Sequence, residues 1–234
     1  MVQHSILQIT DYGAPYPGNF LASLQALDPL LRLKGWRQIY MFSERAQERE
    51  WLAKLHKQGL SIYILPESTL LDRALYIRDV ARKENASILH AHFTRNDLAA
   101  IVAFLLLLLT GRKVRVVWHV HSPWLAGKSA MRRIKDFIKY RMLTRIANVI
   151  VVSKGGMQSM KERGLPIKRT EVIFNGIDIE RATTPVTSRE TMRRQLGIDA
   201  DAKVILMFGR DAVIKGVDVA LLAFADIAVV SHAV

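Results

Sequence analysis

Seven short runs rich in apolar residues recur along the chain: SILQIT (Ser5–Thr10), RQIYMF (Arg37–Phe42), SIYIL (Ser61–Leu65), SILHA (Ser87–Ala91), VRVVWHV (Val114–Val120), NVIVVS (Asn148–Ser153) and EVIF (Glu171–Phe174). Segments of helical spacing lie between them, among them Asn19–Leu33, Arg45–Gln58 and Leu70–Arg82. Strands that are nearly continuous in apolar residues are buried on both faces, and helices in alternation supply the cover. The pattern predicts an α/β domain built on a doubly wound parallel sheet. After FNGID the composition changes. Ile179–Lys203 is polar and holds Pro185, and it reads as a linker with one short helix over Ser188–Leu196. Ser188 is the cap of that helix, and Thr191 at the third helical position leaves a full capping box absent. A new strand is expected to begin at Val204.

The 234 residues, half of them hydrophobic, suffice for a sizeable core. Cysteine is absent, which excludes disulfides and thiolate metal sites and fits a reducing compartment. The start, MVQHSILQIT, lacks the basic region of a secretory signal. The most apolar stretch, Leu98–Leu109, rises about 18 Å as a helix against about 30 Å of bilayer hydrocarbon. It reads as a core helix. The net charge of +13 favours an anionic partner: a phosphate ligand, a nucleic acid or an anionic membrane face.

In doubly wound sheets ligands bind beyond the carboxyl ends of the strands, so the residues that follow each strand matter most. DYGAPYPGNF follows the first, and its glycines and helix start suit an anion or an ordinary turn equally. It is not GxGxxG, so no dinucleotide fingerprint is present. HAHFTRND follows the fourth. His90 and His92, two residues apart, share a face. A metal site would need further ligands, and no HExxH helix or cysteine supports one, so they read as a loop-lining pair and no metal site is expected. WHVHSPW follows the fifth, with His119, His121 and Trp124. His121 at the strand end can hydrogen-bond a sugar hydroxyl or donate to developing charge, or simply be a satisfied strand-end histidine. Near the chain end, VILMFGRDAVIKGVDVALLAF sets Arg210 and Lys215 on a glycine-punctuated turn before a helix. Such cations suit a phosphate, although two solvated turn cations have the same appearance. GxxxxGK[ST] is absent.

Gly127–Asn148 carries Lys128, Arg132, Arg133, Lys135, Lys139, Arg141 and Arg145 around an apolar stripe of Met131, Ile134, Ile138 and Met142. Arg132, Arg133, Lys135 and Lys139 suit a helix that docks on an anionic leaflet, while a core-packed helix with a solvated basic face fits the same pattern. No nucleic-acid module accompanies the charge, so nucleic acid is the disfavoured partner.

These motifs, in this order, resemble glycosyltransferase family 4 of the GT-B fold from about Ile6 to Phe224. ITDYGAPYPGNFLASLQALDPLLRLKG is similar to the family's first strand, loop and helix. ILHAHF and VVWHVHSPW are similar to its paired strand-end histidine motifs. ANVIVVSKGGMQSMKERGLPIKRTEVIFNGIDIERA is similar to the end of its N-terminal domain, with NGID at Asn175–Asp178, and FGRDAVIKGVDVALLAF is similar to the start of its C-terminal domain. The resemblance implies a Rossmann-like acceptor-side domain over 1–180, a linker over 181–202, and the start of an incomplete second Rossmann-like, nucleotide-sugar-binding domain over 203–234. It implies His121 as the catalytic residue near the transferred sugar and the acceptor, with His92 and His119 on the acceptor side. Arg210, Lys215, Gly18 and Asn19 would bind the donor diphosphate, although the first loop departs from the commoner double-glycine form. The implied reaction is retaining and metal-independent, from a nucleoside-diphosphate sugar to a hydroxyl acceptor, lipid-linked or polysaccharide, with no cofactor. The cytoplasm, at the inner face of the membrane, is the expected location. The family's later pair of glutamates falls beyond Val234, so a truncated product is expected. The alternatives are an inactive remnant that binds a membrane or partner through its basic helix, and a GT-B enzyme of other chemistry such as a nucleotide-sugar epimerase.

Overall fold

The structure is a computed structural model that describes residues 4–121, 134, 141, 145–162, 167–208 and 215–231. The chain divides into two compact units, Met1–Ala182 and Thr183–Val234. The first unit holds a seven-stranded sheet in the order β3-β2-β1-β4-β5-β6-β7, and each neighbouring pair is parallel. Its strands are β1 (His4–Thr10), β2 (Trp36–Ser43), β3 (Ser61–Leu65), β4 (Ala86–His92), β5 (Arg115–Val120), β6 (Asn148–Val151) and β7 (Thr170–Val172). Its described helices are α1 (Gly18–Leu33), α2 (Glu50–Lys57), α3 (Leu70–Lys83), α4 (Asp97–Leu109) and α5 (Lys154–Glu162). The segment expected to be helical over Arg45–Gln58 is split into a short 3-10 turn, Glu44–Ala46, and α2.

The alternation along each strand separates two cores. In β2, Ile39 and Met41 join one cluster and Tyr40 and Phe42 the other. Successive side chains of a strand point to opposite faces, so both faces of the sheet are covered. The larger core takes Leu7 and Ile9 of β1, Leu89 and Ala91 of β4, and Val116, Trp118 and Val120 of β5. Above it pack α3 and α4, which also contact each other. Thr69 starts α3 by accepting a hydrogen bond from the Asp72 N–H at 3.2 Å, and Arg82 and Lys83 sit where the carbonyl end of the helix favours cations. In α4 the buried face is built from Ala99, Ala100, Ile101, Ala103 and Leu107. The three alanines let the helix axis come close to its neighbours, as expected for a core helix. Among the described residues, no helix is long and apolar enough to cross a membrane.

The second core, under α1 and α2, is shorter. Leu21, Leu24, Tyr40, Phe42, Trp51, Leu52 and Leu55 fill it beside β1 and β2. On this face the carboxyl-terminal positions of β1, β4 and β5 are polar: Gln8 and Thr10 after Ile6, His90 and His92 after Ile88, and His119 after Val117. These polar ends lie on both sides of the place where the strand order turns from descending to ascending, between β1 and β4.

α6 (Ile179–Thr183) runs across the boundary of the two units. In the second unit α7 (Arg189–Gln195) is capped by Ser188, whose Oγ accepts from the Thr191 N–H at 3.2 Å. Residues 202–208 form no strand, a departure from the expectation at Val204. An apolar run becomes a strand only when another strand completes its ladder, and the second unit has no other strand among the described residues. Val204–Phe208 therefore stays irregular and exposed, and α8 (Val217–Ser231) follows.

Candidate functional site

At the carboxyl ends of β1, β4 and β5 lies a cavity of about 430 Å³. Two HxH triplets reach it. Spacing of two keeps His90 with His92 and His119 with His121 on one face. The parallel register sets His92 opposite Thr10 on one side and opposite His119 on the other. Four imidazoles thereby converge from two neighbouring strands. The ring centroids of His90 and His92 are 4.1 Å apart, those of His119 and His121 4.2 Å, and those of His92 and His119 5.1 Å.

The cavity walls are aromatic on one side. Phe20 of α1 meets His92 edge-on at 5.0 Å and His121 at 5.3 Å. Phe93, the residue after β4, has a φ of 62°, rare for a residue with a side chain. Its backbone N–H donates to the carbonyl of His119 at 3.1 Å, and its ring lies 4.5 Å from that of His121. The backbone strain at Phe93, about 1–2 kcal/mol, is held by this β4–β5 hydrogen bond and by the ring packing. Ile173–Ile177, which leave β7 without regular structure and run into NGID, also line the cavity, with Asn19, Ser23 and Leu27 of α1.

A chain of hydrogen bonds fixes the protonation of the ring nitrogens. The Gln38 amide lies 2.9 Å from the carbonyl oxygen of Leu24, which only accepts, so its nitrogen faces Leu24 and its oxygen faces Gln8. The Gln8 nitrogen donates to that oxygen at 2.8 Å. The Gln8 oxygen is then an acceptor 2.8 Å from His92 Nε2, which carries the proton. His92 Nδ1 is left bare, and His121 Nε2, 3.1 Å away, donates to it. His121 Nδ1 is in turn a bare acceptor, with no partner among the described residues. Three other imidazole nitrogens, His90 Nε2 and both of His119, are buried with no hydrogen-bond partner among the described residues. Each such group costs about 1–3 kcal/mol in a folded protein.

Burial dominates the electrostatics. It lowers His90 to about 3, with the charges of His119 and His121 adding to the effect. His121 is lowered to about 3 by burial and by His119, and His119 to about 4 by burial. His92 falls well below the ordinary histidine value by burial first and its three neighbours next. At neutral pH all four rings are uncharged.

His92, His119 and His121 are thus brought together, and Asn19 lines the same cavity. Gly18 opens α1 with a φ of 54°, and a side chain there would meet the Tyr12 hydroxyl at 2.8 Å. That hydroxyl donates to the carbonyls of Tyr16 and Pro17, so Gly18 shapes the entry to the helix. Lys215 is exposed before Gly216 and α8 in the second unit. Arg210, Arg132, Arg133, Lys135 and Lys139 lie outside the described residues. The sequence reading missed the assembly of four rings, Phe20 and Phe93 as walls, and Gln8 with Gln38. A glutamine in the middle of each of two apolar strands, SILQIT and RQIYMF, was the available signal, because a buried amide requires a partner.

The family model described as Glycosyltransferase Family 4 matches residues 39–181. A search of curated proteins finds no significant match. Among solved structures, HepE of Anabaena in complex with UDP-glucose is similar, with 18% identity and a TM-score of 0.60 over 82% of this chain and 50% of that one. A glycosyltransferase of Rickettsia africae matches with 14% identity and a TM-score of 0.65 over 90% of this chain and 54% of that one. The lipopolysaccharide outer core galactosyltransferase WaaB matches with 10% identity and a TM-score of 0.54 over 75% of this chain and 46% of that one. The chain spans about half the length of these structures.

Proposed function

The chain belongs to glycosyltransferase family 4, and from that premise we propose that it supplies the acceptor-side half of an enzyme that moves a sugar from a nucleoside-diphosphate sugar to a hydroxyl group. The observation that carries the reading is the relay from Gln38 to His121, which leaves a bare, neutral Nδ1 at the cavity. A neutral imidazole with its tautomer fixed accepts a hydrogen bond from a hydroxyl and holds it in one orientation. His121 then orients the sugar or acceptor hydroxyl, while His92 and His119 form the acceptor-side wall. The apolar faces of Phe20 and Phe93 suit the C–H face of a sugar ring and keep water from it. Asn19 and the first turn of α1, with its free backbone N–H groups, favour the diphosphate. Arg210 and Lys215 are the cations assigned to the departing diphosphate, whose charge they would neutralise. HepE, crystallised with UDP-glucose, supports the donor class.

Calorimetric titration with UDP and GDP tests this. One of the two is expected to bind, and Lys215→Ala to weaken that binding by roughly 10- to 100-fold, as loss of a charge-assisted contact does. A folded chain that binds neither nucleotide, or a Lys215→Ala chain that binds equally well, removes the diphosphate assignment. NMR of the His121 ring during titration with the UDP-sugar reads the acceptor-side assignment separately: its resonances should move, and static resonances count against a role for His121.

A further inference from the structure

We propose that His90, His92 and His119, in the wall of the cavity, form a binding site for a divalent first-row transition metal of the zinc class. Three observations converge on it. One ligand nitrogen from each of the three rings can be chosen so that all lie within 4.8 Å of one another. Imidazole nitrogens on a tetrahedral zinc, about 2.0–2.1 Å from the ion, are separated by about 3.3 Å, so modest ring rotations close the set. The second observation is the unmet bonding capacity. His90 Nε2 and both nitrogens of His119 are buried with no partner among the described residues, a rare condition for imidazoles unless an ion or water completes them. The third is His92. Gln8 Oε1 holds its Nε2–H at 2.8 Å, which fixes the tautomer that offers Nδ1 as a lone pair. A carbonyl or amide oxygen on the far nitrogen is the outer partner that ligating histidines regularly have.

The donor set decides the class of ion. Three neutral imidazoles and no carboxylate suit zinc, copper or nickel and disfavour magnesium and calcium, which take oxygen. Three protein ligands would leave one coordination position for water. The ion would also take the Nδ1 lone pair of His92 that now accepts from His121. Metal loading would therefore release His121 from the relay. This inference does not rest on the transferase reading, since metal binding can be present whether or not a nucleotide binds, and the metal-free chain is the state in which the His92–His121 contact of that reading is made.

The test uses the untagged, chelator-treated full chain. Zn²⁺ is titrated by calorimetry, and Co²⁺ serves as the optical probe. One ion per chain is expected, with the visible absorption bands of a low-coordinate cobalt–imidazole centre. The double variant His90→Ala/His119→Ala should lose the site. Gln8→Ala should weaken binding by roughly 10- to 100-fold, the range for loss of an outer partner. His4→Ala, on an exposed ring far along β1, should leave it unchanged. Wild-type protein that binds neither ion below millimolar concentration overturns the proposal, and so does binding that persists in a folded double variant. If the double variant fails to fold, X-ray absorption of the cobalt-loaded wild type counts imidazole ligands directly. Three or four support the site, and fewer than three overturn it.

Discussion

The most consequential single residue beyond the histidines is Gln8. It is fully buried in β1 and joins Gln38 to His92 through both ends of its amide. Gln8→Ala strands the Gln38 oxygen and the His92 Nε2–H at once. The expected loss is about 2–4 kcal/mol in unfolding free energy, from two unpaired groups at about 1–3 kcal/mol each with some relief by water from the cavity. Urea unfolding measures it, and a change below about 0.5 kcal/mol would show that the amide is not a structural link. Nitrogen NMR of the rings gives a second readout: loss of Gln8 should let His92 sample both tautomers, and His121 with it. Of these residues, sequence made the HxH pairs legible and left their meeting hidden. His90 and His92 share a face by strand geometry alone, but their proximity to His119 depends on β4 pairing with β5 in one register. That register is set on the opposite face of the two strands, above all by Leu89 and Trp118, which are distant from each other in sequence and must reach the same core.

Among the elements, α4 shows how composition sets spacing. Its Leu98–Leu109 run reads as a core helix because it is too short to span a bilayer, and its alanines, Ala99, Ala100 and Ala103, all have no exposed surface. A larger side chain has nowhere to go. Ala103→Leu should therefore destabilise the protein by about 1–3 kcal/mol through overpacking. Leu109→Ala, at 83% exposure near the end of the same helix, should change stability by less than about 0.5 kcal/mol. Denaturant midpoints of the two variants test the contrast, and equal effects would refute it. The strands of the first unit were legible within about two residues because two-sided burial writes itself as a continuous apolar run. Val204–Phe208 has the same local text and no ladder. A strand is a property of a pair, so a run of valine and isoleucine states a preference that only a neighbour completes.

For the molecule as a whole, the buried imidazoles tie stability to pH. With metal removed by chelator, His90, His119 and His121 stay neutral in the folded protein down to about pH 3 or 4, and burial lowers His92 in the same direction. In the unfolded chain each takes a proton below about pH 6.5. Between those limits the unfolded state holds more protons, so stability is greatest above pH 6.5 and falls with acidification, by up to about 1.4 kcal/mol per pH unit for each ring. The four rings face one another, and Tyr12 is the only other titratable side chain among the described lining residues, so no carboxylate offsets the effect there. Urea midpoints should drop between pH 7 and pH 5, and a flat profile would contradict the burial of these rings. Sequence showed the histidines without their burial, which is a sum over α1, the sheet and the NGID segment.

The strand order carries one more consequence, for the ribosome rather than the cavity. β1 lies inside the sheet with β2 on one side and β4 on the other, and Ser5 pairs with Ala86. During synthesis β1 is therefore made before both of its neighbours and must hold one open edge until β4 has been made. Such distant parallel pairing closes late and leaves an adhesive edge in the meantime. Since Thr10, His92 and His119 meet only when that edge is closed, the first binding of ligand to the histidine face would mark the end of the chain's vulnerable interval.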